Sequence, residues 1–324
     1  MKRFFLYFIS ITLLSLGFTF LFLRVDDSQR TDAVLINSPL PDYLTLHKNK
    51  QVRLLDLWLP FIEKTYGSDF DTMSLTAKSV LMYDLTTKKV IFEKSPRERL
   101  PMASLTKIMT AIVSLENPQP DDRYLVTEAN LVGEDSMGLV SGETLSLEEL
   151  LYGLMLPSGN DAAEVLASNS PFGREGFIHA MNDKAKALGL LDTKFSNPSG
   201  LQGDGIQYTT AYDLLVITRY ALENFPIFVQ IVETSERTIV RTSGHQEYNL
   251  VNETNLLTTY PGVKGVKTGY TPEAGLCLVT YLDYEGHRII GILLNSENRR
   301  GEMKELLDYS LKSLNIEPPP FTGE

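Results

Sequence analysis

The stretch "PMASLTKIMTA", Pro101–Ala111, places a serine three residues before a lysine in a run that is otherwise apolar or small. The following residues, "LTKIMTAIVSLE", predict a helix that begins close to Ser104. Residues three apart on a helix lie on one face, so Ser104 and Lys107 are predicted neighbours in its first turn. Lysine is rarely fully buried unless it is paired, so this lysine either points to solvent or serves some chemistry.

A hydroxyl beside an amine is an arrangement suited to nucleophilic catalysis. A serine hydroxyl is a weak nucleophile until a base removes its proton. Lysine can be that base when burial or a neighbouring cation lowers its pKa. Taken alone, however, this spacing favours a helix that starts with a capping serine and carries a solvent-facing lysine.

Two further short motifs follow along the chain. The tripeptide S-G-N, Ser158–Asn160, lies in "MLPSGNDAAEV" between two helix candidates, and K-T-G, Lys267–Gly269, lies in the strand candidate "GVKGVKTG". The first offers a hydroxyl and an amide, or simply helix-capping groups. The second offers a cation, a hydroxyl and a glycine that permits close backbone approach, or simply a polar strand end.

Together and in this order, the three motifs form the signature of penicillin-binding proteins and class A β-lactamases. The chain from about Thr76 to Leu314 resembles the low-molecular-mass penicillin-binding proteins, specifically the serine-type D-alanyl-D-alanine carboxypeptidases. Supporting stretches are "SLTKIMTA", "SMGLVSGETLSLEELLYGLMLPSGNDAA", "FSNPSGLQ", "QYTTAYDL" and "KTGYTPEAG".

The resemblance implies roles for four catalytic residues, namely Ser104, Lys107, Ser158 and Asn160. Ser104 would be the acylated nucleophile, with Lys107 as its general base. Ser158 and Asn160 would serve in proton relay and in binding a substrate amide.

The resemblance also implies a set of substrate-binding residues, namely Lys267, Thr268, Gly269, Tyr270 and Arg299. Lys267 and Thr268 would hold the terminal carboxylate of the substrate. The backbone N–H groups of Ser104 and Tyr270 would form the oxyanion hole. For the arginine near the last strand, "NSENRRGEMKELL" offers Arg299, with Arg300 as the less favoured choice.

The order of predicted elements indicates an α+β fold. "AKSVLMYDL" and "KKVIFEKS" predict a hairpin, residues 104–221 are mainly helical, and strand candidates follow from "RTIVRT" to "HRIIGILLN" before a last helix, "EMKELLDYSLKSL". The late strands, joined by short turns, are predicted to be antiparallel and to share one sheet with the first hairpin. The resemblance implies a β-lactamase/transpeptidase-like fold, with helices flanking the sheet and a mostly helical subdomain.

The N-terminus predicts an extracytoplasmic enzyme. Lys2 and Arg3 precede mostly apolar residues from Phe4 to Leu23, a length of about 20 residues that spans a bilayer as a helix. The basic pair predicts a cytoplasmic N-terminus, so the rest of the chain would lie outside. An uncleaved anchor is favoured over a cleaved signal peptide, because the apolar core is long. We therefore divide the chain into residues 1–24 (anchor or signal), 25–72 (linker with some local structure), 73–315 (catalytic domain) and 316–324 (disordered tail).

Composition narrows the partners. The formal net charge of −11 argues against nucleic acid. The four histidines have no metal-ligand spacing, so neither a metal nor another cofactor is expected. The single cysteine, Cys277, lies in an apolar run and is expected to be a buried, inert thiol. The resemblance implies peptidoglycan stem peptides as substrates, β-lactams as covalent inhibitors, and the cytoplasmic membrane as a partner.

The expected function is removal of the terminal D-alanine from stem pentapeptides through an acyl-enzyme on Ser104. A β-lactamase is the first alternative, although no E-x-x-L-N stretch lies between the second and third motifs. A non-catalytic penicillin-sensing or wall-binding module is the second, although every motif residue is present. Endopeptidase or transpeptidase activity also stays open, because the shape of the site chooses the acyl acceptor.

Overall fold

A computed structural model of the chain describes Pro60 and residues 74–322. The predicted anchor, residues 1–24, therefore lies outside the described residues, and so does the predicted linker, residues 25–72, apart from Pro60. Within the described part, no single helix is both long and apolar enough to cross a membrane. Two consecutive helices, Ala211–Asn224 and Pro226–Val232, are together long and apolar enough, but the chain bends by 110° between them.

The central feature is a five-stranded antiparallel sheet in the order β2-β1-β9-β8-β7. The strands of the described residues are β1 Ser79–Asp84, β2 Lys89–Lys94, β3 Tyr124–Leu125, β4 Thr144–Leu145, β5 Glu236–Ile239, β6 Tyr248–Val251, β7 Val263–Thr271, β8 Gly275–Tyr284 and β9 His287–Ser296. All six residues of β1 are buried, as are Ile289–Leu294 of β9. Such buried, mostly apolar runs form strands that are covered on both faces.

Helices provide that cover. They are α1 Thr106–Glu116, α2 Leu147–Met155, α3 Asn160–Ser168, α4 Gly173–Ala187, α5 Ala211–Asn224, α6 Pro226–Val232, α7 Leu256–Thr259 and α8 Arg299–Ser313. One face of the sheet packs against α8 through Met303, Leu306 and Leu311. The other face joins a larger apolar cluster that includes α1 to α6. The α+β class and the mostly helical middle of the chain are confirmed.

Local sequence explains where several helices begin. Ser146 caps α2: its hydroxyl accepts from the Glu149 N–H, and the Glu149 carboxylate accepts from the Ser146 N–H at 2.8 Å. This reciprocal pair is a capping box. Thr210 caps α5 by accepting from the Asp213 N–H at 3.0 Å. Pro226 occupies the first turn of α6, where its missing N–H costs nothing.

The strands β5 and β6 depart from the sequence prediction, which placed them in the main sheet. They pair only with each other within the described residues, in a separate two-stranded sheet. Each has four residues. The first three residues of β5 are exposed, and buried and exposed residues alternate along β6. A strand in the middle of the main sheet needs two buried faces, which these short segments lack.

The chain after α8 also departs from its prediction as a disordered tail over residues 316–324. Ile316 and Phe321 pack against the apolar cluster on the α8 face of the sheet. The Thr322 N–H donates to the Thr259 carbonyl at 3.1 Å. The prediction is therefore wrong for residues 316–322, because two apolar side chains in a polar, proline-rich segment are enough to dock it on an existing core.

Candidate active site

Ser104 lies in a short 3-10 turn, Ala103–Leu105, that leads directly into α1. Ala103, just before it, has φ +48°, a left-handed conformation that turns the chain sharply into the helix. Lys107 lies one turn further on, and its Nζ is 2.9 Å from the Ser104 Oγ. The predicted pairing of the two side chains on one helix face is therefore present in the structure.

Lys107 is fully buried, at 0% exposure, and each of its hydrogen-bonding positions has a partner. Besides the serine hydroxyl, Nζ donates to Asn160 Oδ1 at 2.7 Å and to the Ser199 carbonyl at 2.8 Å. The last two partners can only accept. A neutral amine keeps two N–H donors for them and directs its lone pair at the Ser104 hydroxyl. The site therefore fits an unprotonated Lys107 that accepts the serine proton.

Electrostatics favour that neutral form. Burial, and next the charge of Lys267, hold the pKa of Lys107 well below its usual value, although Asp135, Glu253 and Asp161 act in the opposite direction. A desolvated ammonium near a second cation is the setting in which lysine becomes a general base.

The second motif lies between α2 and α3. Ser158 is buried and has φ +63°, a strained conformation for a residue with a side chain. Asn160 is the first residue of α3, and its N–H donates to the Asp135 carbonyl at 2.8 Å. A Cβ on Gly159 would lie 2.8 Å from the Gly153 carbonyl oxygen, so the close packing here requires glycine. The tight turn brings the Asn160 side chain to Lys107.

Asp161 supports this turn, a role that sequence reasoning missed. Its carboxylate accepts from the Met137 and Leu139 N–H groups, both at 3.0 Å, and from the Ser136 hydroxyl at 2.5 Å. These bonds tie the loop before β4 to the start of α3. The only signal in the sequence is an acidic residue in the first turn of a helix, which is usually no more than a favourable helix start.

The third motif lies on β7, the strand at one edge of the main sheet. Lys267 is buried, at 1% exposure, and its side-chain amine forms no hydrogen bond or ion pair with the described residues. Burial and the charge of Arg299 lower its pKa to about 8, while Glu253 and Asp135 oppose the shift. A buried cation without a protein partner favours binding of an anion. Next to it, the Thr268 hydroxyl donates to Glu253 Oε2 at 3.0 Å.

Two glycines let the backbone close around the nucleophile. A Cβ on Gly269 would lie 3.1 Å from the Ser104 backbone nitrogen, so β7 packs directly against the turn of the serine. A Cβ on Gly200, where φ is +90°, would lie 2.0 Å from the Ala103 carbonyl oxygen. Tyr270, immediately after the motif, is 60% exposed at the mouth of the cleft.

The structure distinguishes the two candidate arginines. Arg299 begins α8, and its Nη1 donates to the Gly269 carbonyl at 2.9 Å, which places the guanidinium at the end of the K-T-G motif. Arg300 points elsewhere, with its guanidinium 5.4 Å from the centre of the Phe321 ring. The preference for Arg299 therefore agrees with where the two side chains lie.

The carbonyl of Ser199 is a contact that no motif marked. Asn197 holds its turn: the Asn197 side-chain oxygen accepts from the Gly200 N–H at 2.7 Å, and its amide donates to the Leu201 carbonyl at 2.7 Å. The Thr110 hydroxyl of α1 fixes the same turn by donating to the Pro198 carbonyl at 2.6 Å. "SNPSG" reads as a turn in the sequence, but a backbone oxygen leaves no residue signature.

Other reactive groups of the described residues lie apart from this constellation. Cys277 is fully buried, and burial raises the pKa of its thiol to about 11, as suits the predicted inert role. The described residues contain no group of three or more His, Cys, Asp or Glu side chains that could hold a metal ion.

Comparison with known proteins identifies the family. The family model for D-alanyl-D-alanine carboxypeptidases, peptidase S11, matches residues 66–298. The chain belongs to this family. It is 33% identical to the D-alanyl-D-alanine carboxypeptidase DacF of Bacillus subtilis over 264 residues, 79% of this chain and 67% of that protein.

Solved structures agree on the fold. The DD-transpeptidase of Streptomyces K15 superposes with a TM-score of 0.69 at 31% identity, covering 74% of this chain and 98% of that one. Penicillin-binding protein D2 of Listeria monocytogenes, solved with ampicillin bound, gives a TM-score of 0.65 at 27% identity, covering 74% of this chain and 99% of that one. The predicted resemblance and the β-lactamase/transpeptidase-like fold are confirmed, whereas the individual residue roles stay predictions.

Proposed function

We propose that this protein is a serine D-Ala-D-Ala carboxypeptidase that removes the terminal D-alanine of peptidoglycan stem pentapeptides. The observation that carries the proposal is the fully buried Lys107, whose Nζ lies 2.9 Å from the Ser104 hydroxyl and has acceptor partners for its other two donors. Membership of the D-alanyl-D-alanine carboxypeptidase family supplies the class of substrate.

Acylation begins when the Ser104 oxygen attacks the carbonyl of the D-Ala–D-Ala bond and Lys107 takes the hydroxyl proton. The backbone N–H groups of Ser104 and Tyr270 bind the oxyanion that forms. The proton that Lys107 has taken passes through Ser158 to the leaving nitrogen as the peptide bond breaks. Free D-alanine departs, and the remaining peptide is joined to Ser104 as an ester.

Deacylation repeats the sequence with water. Lys107 accepts a proton from the water that attacks the ester, and the Ser104 oxygen regains a proton as it leaves. The products are the tetrapeptide acid and the free enzyme. Replacing the water with the amine of another stem peptide would give transpeptidation, and one similar structure is indeed described as a DD-transpeptidase.

Substrate binding rests on the cations of the cleft. Lys267, buried and without a partner among the described side chains, supplies positive charge for the terminal carboxylate, and Thr268 supplies a hydroxyl beside it. Arg299 adds a second cation at the end of the same motif. β-Lactams carry both a reactive carbonyl and a carboxylate, so we propose that they acylate Ser104 as covalent inhibitors.

Intact-mass spectrometry of the purified protein tests the proposal. Incubation with a muropeptide pentapeptide should give tetrapeptide and free D-alanine. Incubation with penicillin should give a Ser104 adduct that lasts minutes or longer, because the leaving group stays tethered and blocks the path of water. Rapid loss of the adduct with steady penicillin hydrolysis would instead indicate a β-lactamase. A stable adduct without pentapeptide cleavage would indicate a sensor.

We also propose that residues 4–23 hold the catalytic domain on the outer side of the cytoplasmic membrane. The apolar length and the preceding Lys2 and Arg3 support this topology. Protease added to spheroplasts should digest the catalytic domain, and a variant that lacks residues 1–24 should remain inside the cell. A domain protected from protease, or released as a soluble protein that starts near residue 30, would contradict the anchor.

A further inference from the structure

Glu253, a residue that no motif contains, lies at the carboxylate end of the cleft. It follows β6, and its N–H donates to the Leu156 carbonyl at 3.2 Å, which fixes this loop beside the segment that carries Ser158. Its side chain is exposed. Its Oε2 accepts the hydrogen bond from the Thr268 hydroxyl at 3.0 Å.

The groups around Glu253 are those assigned to the substrate's carboxylate. Besides Thr268, the charges of Lys267 and Arg299 both interact favourably with the Glu253 carboxylate. Within the described residues, however, Glu253 forms no ion pair at 4.0 Å or less and accepts no other side-chain hydrogen bond. The carboxylate is therefore attracted to this site but is held there by a single hydrogen bond.

A hydroxyl has one hydrogen, so Thr268 cannot donate to Glu253 and to a ligand carboxylate at the same time. A ligand carboxylate placed beside Lys267 would also meet the negative charge of Glu253. A ligand with a neutral end suffers neither effect. We propose that Glu253 is a specificity-determining residue that competes with the ligand's carboxylate for Thr268. It thereby reduces the preference of this enzyme for ligands that end in a free carboxylate over ligands that end in a neutral group.

An opposite effect of Glu253 has to be separated from this competition. Its negative charge also helps to keep Lys267 protonated, which favours carboxylate binding. The pKa of Lys267 is about 8, so at pH 6 the lysine carries its charge in the native enzyme. Measurement at pH 6 therefore reduces the contribution of Lys267 titration and leaves the competition at Thr268 dominant.

The inference rests on the proposed function, and acylation rates test both. The second-order rate constants of acylation by benzylpenicillin and by its methyl ester are measured at pH 6 for the native protein, Glu253→Ala and Glu253→Gln. The ratio of these two rate constants, acid over ester, should rise on the order of 3- to 10-fold in Glu253→Ala, because interactions of an exposed charge have effects of about this size. Glu253→Gln, which loses the charge and keeps the shape, should change in the same direction.

Glu233→Gln is the matched control. Glu233 is partly exposed, and it pairs at 3.8 Å with Lys264, which lies on β7, the strand that carries Thr268. Its acid-to-ester ratio should equal that of the native protein. An unchanged or lowered ratio in Glu253→Ala, with both ligands still acylating the native protein, would overturn this inference alone. Failure of benzylpenicillin to acylate the native protein at all would instead contradict the proposed function.

Discussion

The Nζ of Lys107 donates to the side-chain oxygen of Asn160 over 2.7 Å, and this contact joins the first sequence motif to the second. The two residues are 53 positions apart, on α1 and at the start of α3. An amide oxygen accepts a hydrogen bond without carrying a charge. It therefore orients the lysine without stabilising the ammonium as strongly as a carboxylate would.

Asn160→Asp should impair acylation while keeping the shape of the site. A carboxylate beside Lys107 favours the charged amine and raises its pKa, so less neutral base is present at pH 7. We expect the acylation rate at pH 7 to fall on the order of tenfold or more, since one unit of pKa changes the neutral fraction about tenfold. The rising limb of the pH–rate profile should move to higher pH. Asn249→Asp, at an exposed position of β6, should leave the profile unchanged.

The native enzyme should lose affinity for carboxylate ligands above about pH 8. The pKa of Lys267 is about 8, so the lysine is charged below this pH and neutral above it. The kcat/KM for a peptide with a free carboxylate should therefore decline through this range.

Lys267→Met should remove that decline and should also raise the pKa of Lys107, because the charge of Lys267 lowers it. The rising limb then moves to higher pH. Lys264→Met, on the same strand, is the control for loss of a lysine. A rising limb at its native position in Lys267→Met would show that the two lysines are not coupled.

Ser104→Ala should abolish covalent labelling by a fluorescent penicillin, because the acylated hydroxyl is gone. The free energy of unfolding should change by about 1 kcal/mol or less, since one hydrogen bond to Lys107 is lost at a partly exposed position. Ser313→Ala, at the exposed end of α8, should label normally. Normal labelling of Ser104→Ala would rule out this serine as the nucleophile.

Gly200→Ala should destabilise the domain and disable the site together. The new Cβ would lie 2.0 Å from the Ala103 carbonyl oxygen, at a backbone φ of +90°. We expect a loss of about 2–4 kcal/mol in the free energy of unfolding, measured by denaturant titration, together with slower acylation.

Gly203→Ala separates the two causes of that loss. Its φ is +112°, but a Cβ there would meet nothing within 4 Å. It should therefore show only the cost of backbone strain, about 1–2 kcal/mol, with acylation near the native rate. Equal effects of the two substitutions would mean that the overlap with Ala103 is unimportant.

The elements that sequence predicted well are those fixed by local pattern. The mostly apolar runs of β1 and β9 carry their signals within a few residues. Ser104 and Lys107 were also predictable neighbours, because helical spacing alone sets their separation. The separate β5–β6 sheet and the packed residues 316–322 were not predictable, because both depend on which distant surfaces are available.

By itself, the sequence determined the family, the three motifs and the pairing of Ser104 with Lys107, since each depends on residue type and short spacing. Only the tertiary structure decided the chemical state that this pairing favours. Lys107 is buried, donates to the Ser199 carbonyl and lies near the charge of Lys267. These three features depend on separate parts of the chain. The pKa of an amine depends on its surroundings in space, and the Glu253–Thr268 contact likewise exists only because folding brings a loop to the edge strand.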